Sequence, residues 1–298
     1  MSAAYEQGLY RFLAYMGKRH SIYLMRQEGA VAPWTSDPIL KEFRFCNVYR
    51  ELDTVTIWIR DHIREPFANH QHLWFMLCIA RRINHPPTLA ELIADKKAWP
   101  GSGAWDWART AKILDDRTAR GEQVYTGAYM ITAETGPEHI GKTKSVTTAR
   151  SNLLPLWRKA QEIEPQLHGT LQEAYEAILG QGFAWGPFMT YEVVSDLRHT
   201  RYLKNAKDIS TWANAGPGAL RGLNRLHGRP VKSGLTESMA LSEMRQLLND
   251  VVKQWPRASK KYPRLEMREI EHTLCEFDKY ERVRLGEGRP RSKYHPAV

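Results

Sequence analysis

The chain is poor in cysteine, with Cys46, Cys78 and Cys275 only. An odd, widely spaced set set in apolar patterns excludes a disulfide framework and fits a reducing compartment. No run of about eighteen apolar residues occurs, which excludes a transmembrane helix. The N-terminus also lacks the charged, apolar and small-residue succession of a secretory signal. A soluble, cytoplasmic protein is expected. HExxH, CxxC and paired-Asp patterns are missing around His62, His70, His72 and His85, so these histidines read as surface or core residues and no metal site is assigned. Internal repeats, low-complexity blocks and long linkers are missing too. The expected organisation is a single composite helical domain over residues 1–298, two-lobed around a cleft, with a flexible, phosphate-seeking basic tail at 283–298 carrying Arg284, Arg289, Arg291 and Lys293.

Positive charge is in excess: 43 Lys and Arg against 33 Asp and Glu leave a formal charge of +10, the balance of a protein that meets a polyanion such as DNA. Helical spacing dominates the pattern. Leu9, Phe12, Leu13, Met16 and Tyr23 recur at three- and four-residue steps between Tyr5 and Met25, and Leu73 to Ile83 is strongly apolar. Asp37 before Pro38 has the form of an N-cap with proline in the first turn. The series Phe45, Val48, Leu52, Val55 and Ile59 then predicts one long helix. Further helices are predicted from near Leu89, over Leu171 to Leu179, Phe188 to Leu197, Leu220 to Leu226 and about Leu265 to Arg282. Val124 to Ala133 is the one credible strand. The fold class expected is all-α, with no more than a minor short strand pair.

The densest polar pattern lies between Phe43 and Asp53. Arg44, Asn47, Glu51 and Thr54 run beside the apolar stripe, with Arg50 and Asp53 next to them. A solvated face more usually carries interchangeable Lys and Glu. An amide, two guanidinium groups and two carboxylates can instead read a planar ligand and bind an anion; the plain alternative is a salt-bridged core helix. At Ala215 to Ala219 a Gly216-Pro217-Gly218 turn precedes Arg221 and Arg225, in the manner of a helix-hairpin-helix element that offers backbone N–H groups to a DNA phosphate. The tryptophans of WPGSGAWDW, residues 99–107, read either as a stacking platform for an extruded base or as a plug between helices. Gly136 to Thr143 matches the Walker A pattern. A P-loop also needs a following helix and a second strand ending in a metal-binding Asp. The sequence predicts neither, so a loop whose Lys142 meets a substrate phosphate or DNA is favoured.

FRFCNVYRELD, GFAWGPFMTYEVVSDLRHT, WANAGPGALRGLNRL and HTLCEFDKYERVRLGEGRPR, collinear over roughly residues 40–294, resemble a bacteriophage family of DNA-hypermodification enzymes. These are the amino acid:DNA transferases, or α-glutamyl/putrescinyl thymine pyrophosphorylases. The family is similar to the helical domain attached to 5-hydroxymethyluracil DNA kinases and, more distantly, to helix-hairpin-helix DNA glycosylases. The resemblance implies a helix-hairpin-helix, glycosylase-like helical fold in the cytoplasm of an infected bacterium. It implies a DNA substrate whose thymine-like base carries a 5-(pyrophosphoryl)methyl group, an amine such as glycine or a polyamine that displaces pyrophosphate, and a 5-hydroxymethyluracil DNA kinase as functional partner. Residue types then suggest roles. Asn47 would read the base edge; Arg44, Arg50, Arg198 and Lys279 would meet the departing pyrophosphate. Glu51, Asp196 and Glu276 compete as general base, and Asp53 would orient Arg50. Arg201 or Arg221 would hold an amino-acid carboxylate, while Gly216, Gly218, Arg221 and Arg225 would contact DNA. No cofactor is assigned, and pyrophosphate chemistry can recruit Mg²⁺ through carboxylates. Other readings of the same residues are a base-excising glycosylase, a non-catalytic DNA-binding module serving a kinase, and an ATP-dependent kinase.

Overall fold

A computed structural model of the chain describes residues 2–127, 142–182 and 184–294. Among the described residues there are helices and turns but no strand, so the all-α class stands; the one extended pairing among them is an isolated antiparallel bridge between Phe43 and Lys293. Most of the predicted strand and of the Walker-like segment lies outside the described residues, and 124–127 are irregular. No described helix is long and apolar enough to cross a membrane. The chain divides into two compact units, one made of Met1–Asp53 with Ile209–Val298 and the other of Thr54–Asp208.

In the first unit the helix Ala3–Gln27 starts at Ser2, whose side chain accepts the Tyr5 N–H, and turns Tyr5, Leu9, Phe12, Tyr15 and Met16 inward. The helix Pro217–Leu226 packs along Met267–Arg284. Glycine permits that approach: a methyl group at Gly222 would stand 2.4 Å from the Leu274 carbonyl oxygen, and one at Gly218 would stand 2.3 Å from the Cys275 sulfur. The helix Glu237–Gln254, capped by Thr236, adds Ala240, Met244, Leu247 and Val251 to this core.

The long helix predicted from Pro38 to Ile59 is not formed. Asp37 caps as expected, accepting from Ile39 and Leu40, but the helix Pro38–Glu42 stops after five residues. An irregular, largely extended stretch follows, then a 3-10 turn at Arg50–Leu52 and a new helix at Thr54–Ile59. Partners for its backbone come from elsewhere. Arg44 N–H donates to the Ser292 carbonyl at 3.1 Å, Cys46 N–H to Glu276 at 2.9 Å and Asn47 N–H to Asp53 at 2.9 Å, while the Arg19 guanidinium donates twice to the Phe45 carbonyl, at 3.2 and 3.1 Å. A segment so satisfied has no need of a helical ladder. The described part of the expected basic tail, up to Tyr294, is likewise held by backbone bonds. The last helix runs to Arg284, and residues 292–294 are tied to 42–44 through Arg44 N–H and a Tyr294 N–H bond to the Glu42 carbonyl at 2.9 Å.

In the second unit Leu73–Ile83 is buried along its whole length and packs against Pro187–Leu197. Trp99 and Trp105 are buried, and Trp105 meets Phe75 and Trp157 edge-on. For these two indoles of the 99–107 segment, the plug reading is the correct one. Thr143 caps a helical stretch formed by Lys144–Val146, Thr147–Leu153 and Leu154–Arg158, the middle part wound as a π-helix. A helix therefore does follow the Walker-like segment, contrary to the sequence reading, but no strand accompanies it among the described residues.

Candidate active site

The first unit brings together, around the 43–53 segment and one face of Met267–Arg284, five of the residues singled out in the sequence: Asn47, Arg50, Glu51, Glu276 and Lys279. Glu276 is buried and accepts both the Cys46 N–H and the Lys279 ammonium, the latter at 2.6 Å. Burial pushes the Glu276 carboxyl up, but Lys279, His272 and the Cys46 N–H more than offset it, and its pKa lies below the ordinary range. The Lys279 nitrogen also stands over the Phe45 ring, 4.6 Å from its centre. Glu51 is half-buried, 3.6 Å from Arg268. Asn47 donates its side-chain amide to the Leu52 carbonyl at 2.7 Å, closing the turn that presents Asp53. Arg50 is buried, and its charge acts on Glu271 and His272. Arg44 is exposed.

Four neighbours went unassigned in the sequence: Cys46, Glu271, His272 and Cys275. Burial raises the Glu271 carboxyl to about 7 against the opposing effects of the Gly216 N–H, which it accepts at 3.3 Å, and of Arg50. Cys46 and Cys275 are solvent-accessible, yet surrounding protein and nearby carboxylates raise both thiols, Cys275 to about 12. Thiols held in the protonated form argue against a ready thiolate nucleophile. Metal-ligating atoms of Cys46, Asp53 and His272 all lie within 4.8 Å of one another. The helical spacing of Glu271, Cys275, Glu276 and Lys279 was a legible signal; its convergence with residues 46–53 was not. Near this loop a cavity of about 250 Å³ has aromatic walls from Trp34, Phe43, Phe45 and Tyr294 and cations from Arg19 and Arg26.

Other sequence candidates take structural places. Asp196 belongs to the second unit, where it is buried and bound by Arg81 at 2.5 and 2.8 Å, with Arg64 at 3.8 Å. It is a core ion-pair residue and not a solvent-reaching base. Arg198 lies in the same unit and donates to the Lys204 carbonyl at 3.3 Å. Arg201 is engaged by the Ala68 and His70 carbonyls, Glu164 and Tyr202, which leaves its guanidinium committed within the protein. Arg225 is buried against Asp278 at 2.7 Å and Glu287 at 2.5 Å, and Arg221 pairs with Asp278 at 2.8 Å. For Arg225 an intramolecular ion pair replaces the expected DNA contact. Gly216 gives its N–H to Glu271, and the second glycine of the turn, Gly218, is required by its closeness to Cys275.

The buried carboxyl of Glu269 carries a pH test. Desolvation raises it to about 7, opposed chiefly by Arg268. A folded-state pKa above the ordinary 4.5 means stability present at acid pH and lost as pH rises from about 4.5 to 7, on the order of 3 kcal/mol. Glu269→Gln, which keeps the capping contact to the Glu266 N–H, is expected to flatten this decline. Urea unfolding at pH 5 and pH 8 measures it, and an unchanged pH dependence in the variant refutes it.

Fold and cluster together define a class, an all-helical protein whose chemistry-bearing side chains come from one irregular loop and one long helix. The chain belongs to the family of the helical domain of 5-hmdU DNA kinases, whose model it matches over residues 6–289. It is similar to the 5-hmdU DNA kinase of Bacillus phage SP10, at 26% identity over 221 residues that cover 69% of this chain and 34% of the kinase. The chain thus spans about a third of that relative. No solved structure matches it significantly.

Proposed function

We propose that this protein is a DNA-thymine hypermodification transferase that replaces the pyrophosphate of a 5-(pyrophosphoryl)methyluracil base in DNA with an amine, an amino acid such as glycine or a polyamine. The family relation to a helical domain of kinases named for 5-hmdU DNA supports the substrate class. The observation that carries the chemistry is the pair of buried Glu276 with Lys279, with Arg50 close enough for its charge to act on the neighbouring Glu271 and His272. In this reading Lys279 and Arg50 stabilise charge on departing pyrophosphate, and Glu276 takes the proton that the attacking ammonium must lose. The aromatic cavity supplies the flat walls that an extruded base requires.

The direct test is nucleoside mass spectrometry after incubating the chain with pyrophosphorylated 5-hydroxymethyluracil DNA and a panel of amines. A new amine-bearing nucleoside is expected. Glu276→Gln retains an oxygen for the Cys46 N–H and is expected to lower its rate of formation by roughly a hundredfold or more. Unchanged turnover in the folded variant removes Glu276 from the reaction. The coverage of only a third of the SP10 kinase favours a second reading, a DNA-binding helical module that accompanies a separate kinase. Salt-sensitive DNA binding without any new nucleoside would select it.

A further inference from the structure

We infer that Cys46, Asp53 and His272 form a binding site for a borderline-soft divalent metal ion of the zinc type. The inference concerns this cluster whatever reaction the protein performs, and it is tested without DNA.

Three ligand atoms within 4.8 Å of one another can share a point no more than about 2.8 Å from each, and small side-chain rotations bring that to the roughly 2.0–2.3 Å of zinc–nitrogen, –oxygen and –sulfur bonds. Two of the three residues are already held. Asp53 has one carboxylate oxygen fixed by the Asn47 N–H at 2.9 Å, while its other oxygen lies 4.0 Å from His272 Nε2. Cys46 is anchored through its own N–H to Glu276, and its solvent-accessible side leaves room for an incoming ion. His272 supplies the most telling atom: Nε2 is buried and has no hydrogen-bond partner in the protein, an arrangement that a metal bond would satisfy and that is otherwise costly. A thiolate and a carboxylate contribute two negative charges against a dication, and Glu276 adds a third nearby; Arg50, Lys279 and Arg268 oppose them.

The donor set decides the metal class. Sulfur and imidazole suit zinc or cobalt, whereas magnesium prefers oxygen ligands throughout. Three protein ligands leave a fourth position for water or an anionic oxygen, the open geometry of a reactive site and not of a closed structural one.

The full chain, stripped with chelator and reloaded, is expected to retain one equivalent of zinc by elemental analysis in excess Mg²⁺. Its cobalt form should show the near-ultraviolet thiolate-to-cobalt charge-transfer band of a cysteine-ligated site. Cys46→Ser should abolish the band and Cys275→Ser should preserve it. His272→Gln and Asp53→Asn, each removing a proposed direct ligand, should each weaken zinc binding by at least the roughly 10- to 100-fold that loss of an outer partner costs. Trace zinc with no cobalt band overturns the assignment, as does a band that survives Cys46→Ser or is lost in Cys275→Ser. If the variants fail to fold, the unaltered chain decides: bound zinc should protect Cys46 from iodoacetamide in peptide mass spectrometry, and equal labelling with and without zinc refutes the site.

Discussion

Asp196→Ala is expected to lower the unfolding free energy by roughly 3–5 kcal/mol, because it strands buried arginine charge. Arg81 and Asp196 are each only 1% exposed. The guanidinium donates two bonds to the carboxylate, at 2.5 and 2.8 Å, and further bonds to Thr56 and Asn84. Arg64 lies 3.8 Å from the same carboxylate. Without Asp196 the buried Arg81 guanidinium loses both of these charge-assisted bonds in a water-poor interior, and Arg64 loses a nearby opposite charge. Replacing the pair together, Arg81→Met with Asp196→Leu, should cost less than the single change, since the Arg81 charge that depends most directly on Asp196 is removed with it. Urea denaturation followed by circular dichroism measures both. A single variant as stable as the parent would show that Asp196 is not the structural residue described above.

The second large effect is expected at Gly222→Ala, a loss of about 3 kcal/mol from overpacking. The added methyl would meet the Leu274 carbonyl oxygen at 2.4 Å and its carbon at 2.9 Å. Both atoms are backbone, so no side chain can rotate away and the helices Pro217–Leu226 and Met267–Arg284 must separate. Gly8 faces the same obstacle in Leu226, whose carbonyl oxygen would be 1.9 Å from the new carbon. Gly17, in the same helix as Gly8, provides the control. Nothing lies within 4 Å of its added methyl, and Gly17→Ala should stabilise by roughly 0.5–1 kcal/mol through helix propensity and unfolded-state entropy. Thermal unfolding of the three variants checks the order. The Gly222 change should also impair the candidate site, because the two helices carry Gly216, Glu271, His272 and Glu276.

These close approaches give the glycine spacing a packing role. Gly216 and Gly218 beside arginines resemble a phosphate-binding turn, yet Gly218 and Gly222 sit one helical turn apart where another helix passes. Arginines on that helix then find Asp278 within the protein. Likewise the Phe45, Val48 and Leu52 series has helical spacing, but over so short a stretch an apolar pattern does not distinguish a helix from an irregular segment with the same buried positions.

What the amino-acid sequence by itself determined was local: the all-helical class, the Asp37–Pro38 helix start, the unpaired cysteines, and the resemblance to phage DNA-hypermodification proteins carried by four collinear stretches. Only the tertiary structure decided which polar groups meet. Residues 43–53 leave the helical pattern because Arg19, Glu276 and Ser292, remote in sequence, satisfy their backbone. That departure places Cys46 and Asp53 beside His272, while Asp196 closes a buried ion pair in the other unit. Helix formation follows from nearest neighbours along the chain, whereas a site depends on hydrogen bonds and charges brought together from distant segments.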